Sequence, residues 1–350
     1  MPQMRGRREP TELTQQAQSV GDSLGVAVAR PRDAYQGVPI LKAPLWNHEV
    51  AAYFYLGGMS AGAALVGSLA GLTGGQRHSA LARTAHYVAF AAFLPCPPLL
   101  IDDLGVPARF HHMLRVFKPS SPMNLGAWVF LIHGAGATLS AGRALASENK
   151  LPLLGPLLRL VPERLLAGLA LPGSLVLAGY TGVLLGTTSI PVWYTSQLLG
   201  GLFTASAIGT GVAAVALAGT LAHSMSEADR QALTTLGLMS GGAEMALLGG
   251  YLATSGRAAV PYLRGEGRLL MAGAAITLAA SIALEATATL RGHKRPSAAT
   301  SVLASALALA SGALLRWAVV RAGRASARDR EGTLEAMKPR RGYPGWGGGS

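Results

Sequence analysis

The sequence predicts an all-α integral membrane protein, and three observations carry that prediction. Half of the 350 residues are hydrophobic and only 13% are charged, about half of the roughly 25% charged share of a soluble domain. The apolar residues gather into runs of roughly 20, the helical length that crosses a hydrocarbon core about 30 Å thick. Glycine supplies 45 residues, an abundance suited to close helix packing in lipid.

The elements follow in order along the chain. Residues 1–45 are polar and lack the apolar core of a cleavable signal peptide, so they are expected to form an arm outside the bilayer. Eight spans are expected near 49–72, 79–101, 125–146, 165–187, 196–222, 233–253, 269–290 and 299–322, making a transmembrane domain over 46–323. The first opens with Glu49 in its first turn, where the helix dipole favours an acid. The second contains "LPCPPLL" at 94–100, whose prolines are expected to kink it. Pro119 and Pro122 stop the surface segment before the third span. Gly58 with Gly62, Gly182 with Gly186 and Gly237 with Gly241 mark helix contacts of the small-xxx-small kind. The stretches "LGGMSAGAALVG" and "GLMSGGAEMALLGG" resemble each other, which suggests two four-helix bundles. A basic tail over 324–350 is expected to be disordered.

An even number of spans returns both tails to one membrane face, here side A; the opposite face is side B. The formal net charge is +13. The basic residues flank the spans and divide almost evenly between the faces, so the positive-inside rule assigns no orientation. No basic patch is interleaved with aromatics, which excludes nucleic acid as a partner. Cys96 is the single cysteine, so the chain cannot hold an iron–sulfur cluster. No metal or haem site is expected either, because His86 and His133 differ in depth by about 10 Å and His111–His112 are consecutive in a loop.

Polar residues within a membrane are costly and mark function. Asn47, His48 and Glu49 open the first span on side A, where Asp102 and Asp103 close the second. Tyr180 in the fourth span lies about 10 Å below the same face. These helix ends bring hydrogen-bonding and proton-exchanging groups to one level. Deeper, His133 and Glu244 lie roughly 12–14 Å from side A. Glu285 is nearer side B. Together they outline a candidate proton path, or else hydrogen bonds and pairing with Arg316 or Arg83.

The connection after the second span reads "DLGVPARFHHMLRVFKPSSPMNLGAW" at 103–128. This run, with "AAYFYLGGMSAGAAL" in the first span, resembles the NrfD/polysulfide-reductase membrane-subunit family over residues 45–322. Asn124 and Ala127 stand where that family often has serine, and Val106 where many relatives carry arginine. The resemblance implies a membrane anchor that exchanges electrons between quinone, either menaquinone or ubiquinone, and a ferredoxin-like iron–sulfur subunit. That subunit in turn serves a molybdenum or tungsten catalytic subunit or a related assembly. It also implies a bacterial cytoplasmic membrane location. Asn47, His48 and Tyr180 best fill the family's quinone-binding positions, with Glu49, Asp102 and Asp103 exchanging protons. Arg109, Arg115 and Lys118 would dock the acidic partner or shape the loop, with Asp103 and Arg109 pairing across it. The rival readings are a secondary transporter or proton channel, and a structural anchor without quinone chemistry.

Overall fold

Backbone polar groups in hydrocarbon must be satisfied within their own segment, which favours helices. In the computed structural model, which describes residues 40–73, 78–290 and 297–337, every regular element among those residues is helical. The helices are α1 (His48–Thr73), α2 (Ser79–Phe93), α3 (Cys96–Asp103), α4 (Pro122–Ser147), α5 (Gly155–Leu160), α6 (Glu163–Gly186), α7 (Pro191–Tyr194), α8 (Leu199–Leu221), α9 (Glu227–Ser255), α10 (Val260–Leu263), α11 (Gly265–Leu290), α12 (Ala298–Arg328) and α13 (Arg330–Ala336). Tight 3-10 turns occupy Pro107–Leu114 and Gly256–Ala259.

Among the described residues, seven helices are long and apolar enough to cross a membrane, α2 and α3 counting as one. The eighth expected span, α9, is 29 residues long and at 1.5 Å per residue reaches about 44 Å. Thr234, Thr235, Ser240 and Glu244 lower its hydropathy. The proline kink occurs where expected, with turns at Leu94 and Pro95 separating α2 from α3.

The long helices pack as two groups of four. In the first, α1, α2, α4 and α6 share contacts; in the second, α8 packs on α9 and α12, and α11 joins α9 to α12. The groups meet where α1 and α6 pack on α8. There α1 and α8 touch backbone to backbone, because a Cβ at Gly62 would collide with the Ala207 carbonyl and one at Gly211 with Ala63.

Side A is sealed by a buried aromatic core. Trp193 of α7 is fully buried, stacks on Trp46 at 5.5 Å and donates its indole N–H to the Val319 carbonyl at 2.9 Å. Tyr251 hydrogen-bonds Tyr262 at 3.1 Å beside it.

Two expectations are corrected at the C-terminal end and in the loop. Residues 324–337 are not disordered: α12 continues to Arg328, and Asp329 then caps α13 by accepting from the Gly332 N–H at 3.0 Å. Arg257 pins α13 through ion pairs to Glu331 and Glu335. The rest of the tail, and nearly all of the 1–45 arm, lie outside the described residues. Asp103 and Arg109 form no ion pair among the described residues; Asn124 closes the loop instead, as described below.

Candidate functional site

The start of α1 is tied to the far end of α12. Asn47 Oδ1 accepts from Arg324 at 3.0 Å, and His48 Nδ1 accepts from the Trp317 indole N–H at 3.0 Å. Both ends of the transmembrane domain therefore lie on side A. The indole can only donate, so His48 Nδ1 must carry the lone pair. A neutral His48 then holds its proton on Nε2, which bonds no described residue. Arg324 likewise occupies the oxygen of Asn47 and leaves its amide N–H groups as donors. Asn47 and His48 are exposed, so these donors face outward from the bundle.

Glu49 and Asp102 stand close enough to Asp103 for their charges to act on it. Asp102 and Asp103 are exposed at the end of α3, and none of the three acids forms an ion pair among the described residues.

Tyr180 sits one helix away. Its hydroxyl donates to the Pro122 carbonyl in the first turn of α4, and glycine at 126 makes room for it, since a Cβ there would strike the phenol. Tyr180 also acts electrostatically on Tyr53, which lies about 7.5 Å along α1 from His48. The expected set is thus brought to one face in two separate hydrogen-bonded groups: Asn47 and His48 on α12, Tyr180 on α4. No hydrogen bond among the described residues joins them.

The loop over these groups is held by one side chain. Asn124 accepts from the Lys118 backbone N–H at 2.7 Å and donates to the carbonyls of Met113 at 2.7 Å and Val116 at 3.0 Å. Gly105 takes the turn at φ +69, where a side chain would be strained. Arg109, Arg115 and Lys118 are exposed and unpaired among the described residues, interleaved with exposed Phe110, Val116 and Phe117.

The three deep residues divide. His133 is fully buried in the first group, with Nε2 at 2.8 Å from Ser60 Oγ and Nδ1 at 3.0 Å from Ser174 Oγ. It joins α1, α4 and α6. Glu244 and Glu285 instead line a narrow cavity in the second group, together with Ser281 and Thr300. Glu244 bonds Ser206, and Arg316, fully buried, bonds the same hydroxyl at 2.8 Å while lying 4.2 Å over the Phe203 ring. The expected Arg316 partner is therefore present, with Ser206 between the charges. Arg83 pairs at 3.8 Å with Glu148, not with a deep acid.

Trp317, Arg324, Tyr53 and the holding role of Asn124 were not foreseen. Trp317 and Arg324 lie in and just beyond the last apolar span, and no spacing shows which earlier helix such residues will face. Asn124 did carry a signal, as a departure from serine in the loop motif.

The fold and this face define a multi-pass membrane protein with a polar helix-end site under a basic, partly apolar surface loop. A family model described as "Polysulphide reductase, NrfD" matches residues 41–327. The chain belongs to that family, and membership implies a membrane subunit of a molybdoenzyme-type complex. Comparison with curated proteins gives no match.

Proposed function

We propose that the protein is the membrane anchor and quinone-reactive subunit of a respiratory oxidoreductase in a bacterial cytoplasmic membrane. It would exchange electrons with a ferredoxin-like iron–sulfur subunit serving a molybdenum or tungsten enzyme. The observation that carries this reading is the pair of outward donors, His48 Nε2–H and the Asn47 amide, fixed by Trp317 and Arg324 beside three clustered acids. Quinone carbonyls need donors, and their reduction needs protons from a wet surface.

Quinone, when bound, supplies the two-electron, two-proton chemistry. His48 and Asn47 orient its head by donating. Tyr180 contributes a further donor by releasing the Pro122 carbonyl. Glu49, Asp102 and Asp103 relay protons to the side-A surface. Arg109, Arg115 and Lys118 attract an acidic partner, whose seat is completed by Phe110, Val116 and Phe117.

In the purified complex, His48→Ala and Tyr180→Phe are expected to lower quinone turnover about tenfold or more, one lost donor being worth roughly 1–3 kcal/mol. Dye-linked activity of the catalytic partner should persist. Unchanged quinone turnover in both variants removes these residues from the site and favours the structural anchor.

The Glu244–Glu285 cavity supports a second role in proton movement. Dissipation of an imposed pH gradient by liposomes carrying the protein, abolished in Glu285→Gln, would establish it. Equal rates in both proteins would leave the cavity structural.

A further inference from the structure

A second cavity opens at side B of the first helix group, away from the donors and acids described above. It measures about 490 Å³ and lies between the end of α1 (Gly71), the start of α2 (Arg83, His86), the end of α4 (Ser140, Arg143) and the start of α6 (Glu163, Arg164). That volume falls within the roughly 300–1,000 Å³ typical of ligand pockets. The cavity of the second helix group holds only about 60 Å³.

Its lining is strongly cationic. Arg83, Arg143 and Arg164 face it against a single lining carboxylate, Glu163. Neighbouring Glu148 offsets part of the Arg83 charge but is shared with Lys150. Lys150 binds that carboxylate at 2.7 Å and holds it below the usual carboxylate range, while Arg83 stands 3.8 Å away.

The inner wall holds polar atoms without partners. Ser140 is 4% exposed and its hydroxyl bonds no described residue, nor does the buried Nε of Arg143. His86 is 5% exposed and lines the same wall. A buried hydroxyl and guanidinium N–H left unmet are costly, and an anion would satisfy both. Arg143 is four residues from the end of α4 and Arg83 four from the start of α2, so both lie about 6 Å inside the helix ends. That is headgroup depth. Exposed Leu72, Leu139 and Leu165 flank the site and would suit acyl chains.

We propose that this side-B cavity binds a phosphate anion, with Arg143 and Ser140 as the inner contacts and Arg83 and Arg164 as the outer ones. The chemistry fits the headgroup of an anionic phospholipid and also free phosphate, because clustered arginines match phosphate oxygens in planar, paired hydrogen bonds. The site needs no quinone and stands whether or not side A reacts with one.

The test is a titration of the full-length protein, purified with its complex and stripped of lipid in detergent. Phosphatidylglycerol, phosphatidylcholine and inorganic phosphate are added separately, and binding is followed by native mass spectrometry and by the shift in unfolding temperature. Phosphatidylglycerol should bind at least tenfold tighter than phosphatidylcholine. Ser140→Ala combined with Arg143→Gln should erase that preference, and Arg159→Gln, on the same face but outside the lining, should keep it. Glu163→Gln should strengthen binding about threefold by removing the one opposing lining charge.

Competition by millimolar phosphate would establish free phosphate as a ligand as well. Tight phosphatidylglycerol binding without such competition would assign the site to lipid. Equal binding of the two lipids by the wild-type protein, with phosphate inert, overturns the proposal. So does a double variant that folds and keeps the full preference.

Discussion

The two helix groups handle buried polarity in opposite ways. In the first, His133 has a serine at each ring nitrogen, Ser60 from α1 and Ser174 from α6. A neutral imidazole offers one N–H and one acceptor. Each hydroxyl also reaches a backbone carbonyl, Ser60 that of Ala89 at 2.7 Å and Ser174 that of Ala170 at 2.9 Å. The serine that keeps its carbonyl therefore accepts from the imidazole N–H, and the other must turn its hydroxyl to the bare ring nitrogen. In the second group Glu285 hydrogen-bonds no described residue through its carboxyl, and Glu244 reaches Arg316 only through Ser206. The same cost of polarity in lipid is met by saturation on one side and by a small polar cavity on the other. A saturated histidine serves as a joint between helices. Carboxyls beside a cavity keep the capacity to change protonation.

The sharpest way to break the comparison is to separate the groups. Gly62→Leu should exceed the ordinary overpacking cost of about 1–3 kcal/mol, since the obstacle is the Ala207 carbonyl and not a movable side chain. Loss of the monodisperse peak in size-exclusion chromatography would register it. Next in size is Glu244→Leu, which strips the counter-charge from fully buried Arg316 and is expected to cost about 3 kcal/mol in unfolding experiments. Glu285→Leu, in the same cavity but without a partner, should cost under about 1 kcal/mol. Equal losses at the two glutamates would erase the distinction drawn between them. His133→Leu removes two interhelical bonds, each worth roughly 0.6 kcal/mol in membranes. Its expected loss is about 1 kcal/mol, with quinone turnover retained. A collapse of turnover in a folded His133→Leu protein would return His133 to the proton path.

Much of this architecture was legible because hydropathy and helix length are local properties. The spans, the proline break near Leu94 and the return of both ends to side A all follow from counting apolar residues. The α9 span was legible by length and blurred by composition, its Thr234 and Glu244 lining a cavity that no local pattern announces. The site was legible as a level in the membrane but not as a set of contacts. Depth placed Asn47, His48, Glu49, Asp102, Asp103 and Tyr180 at one face. Depth says nothing of azimuth, so it could not show that Asn47 and His48 turn toward α12 while Tyr180 turns toward α4. Depth likewise could not show that His133 sits in the first helix group while Glu244 and Glu285 line a cavity of the second. The loop's lock was misassigned because Asp103 and Arg109 attract attention as charges, whereas a neutral amide with two donors and an acceptor matches three backbone groups at once.

The bond from Trp317 to His48 spans 269 positions of sequence, and that distance orders events during synthesis. The first helix enters the bilayer with its imidazole free to place its proton on either nitrogen. Only when the last long helix follows does an indole arrive to settle the tautomer, with Arg324 fixing Asn47 in the same stroke. A nascent or truncated chain can therefore be embedded, helical and anchored while its side-A donors are still chemically unset. Completion of this donor pair is deferred until the whole chain is in place.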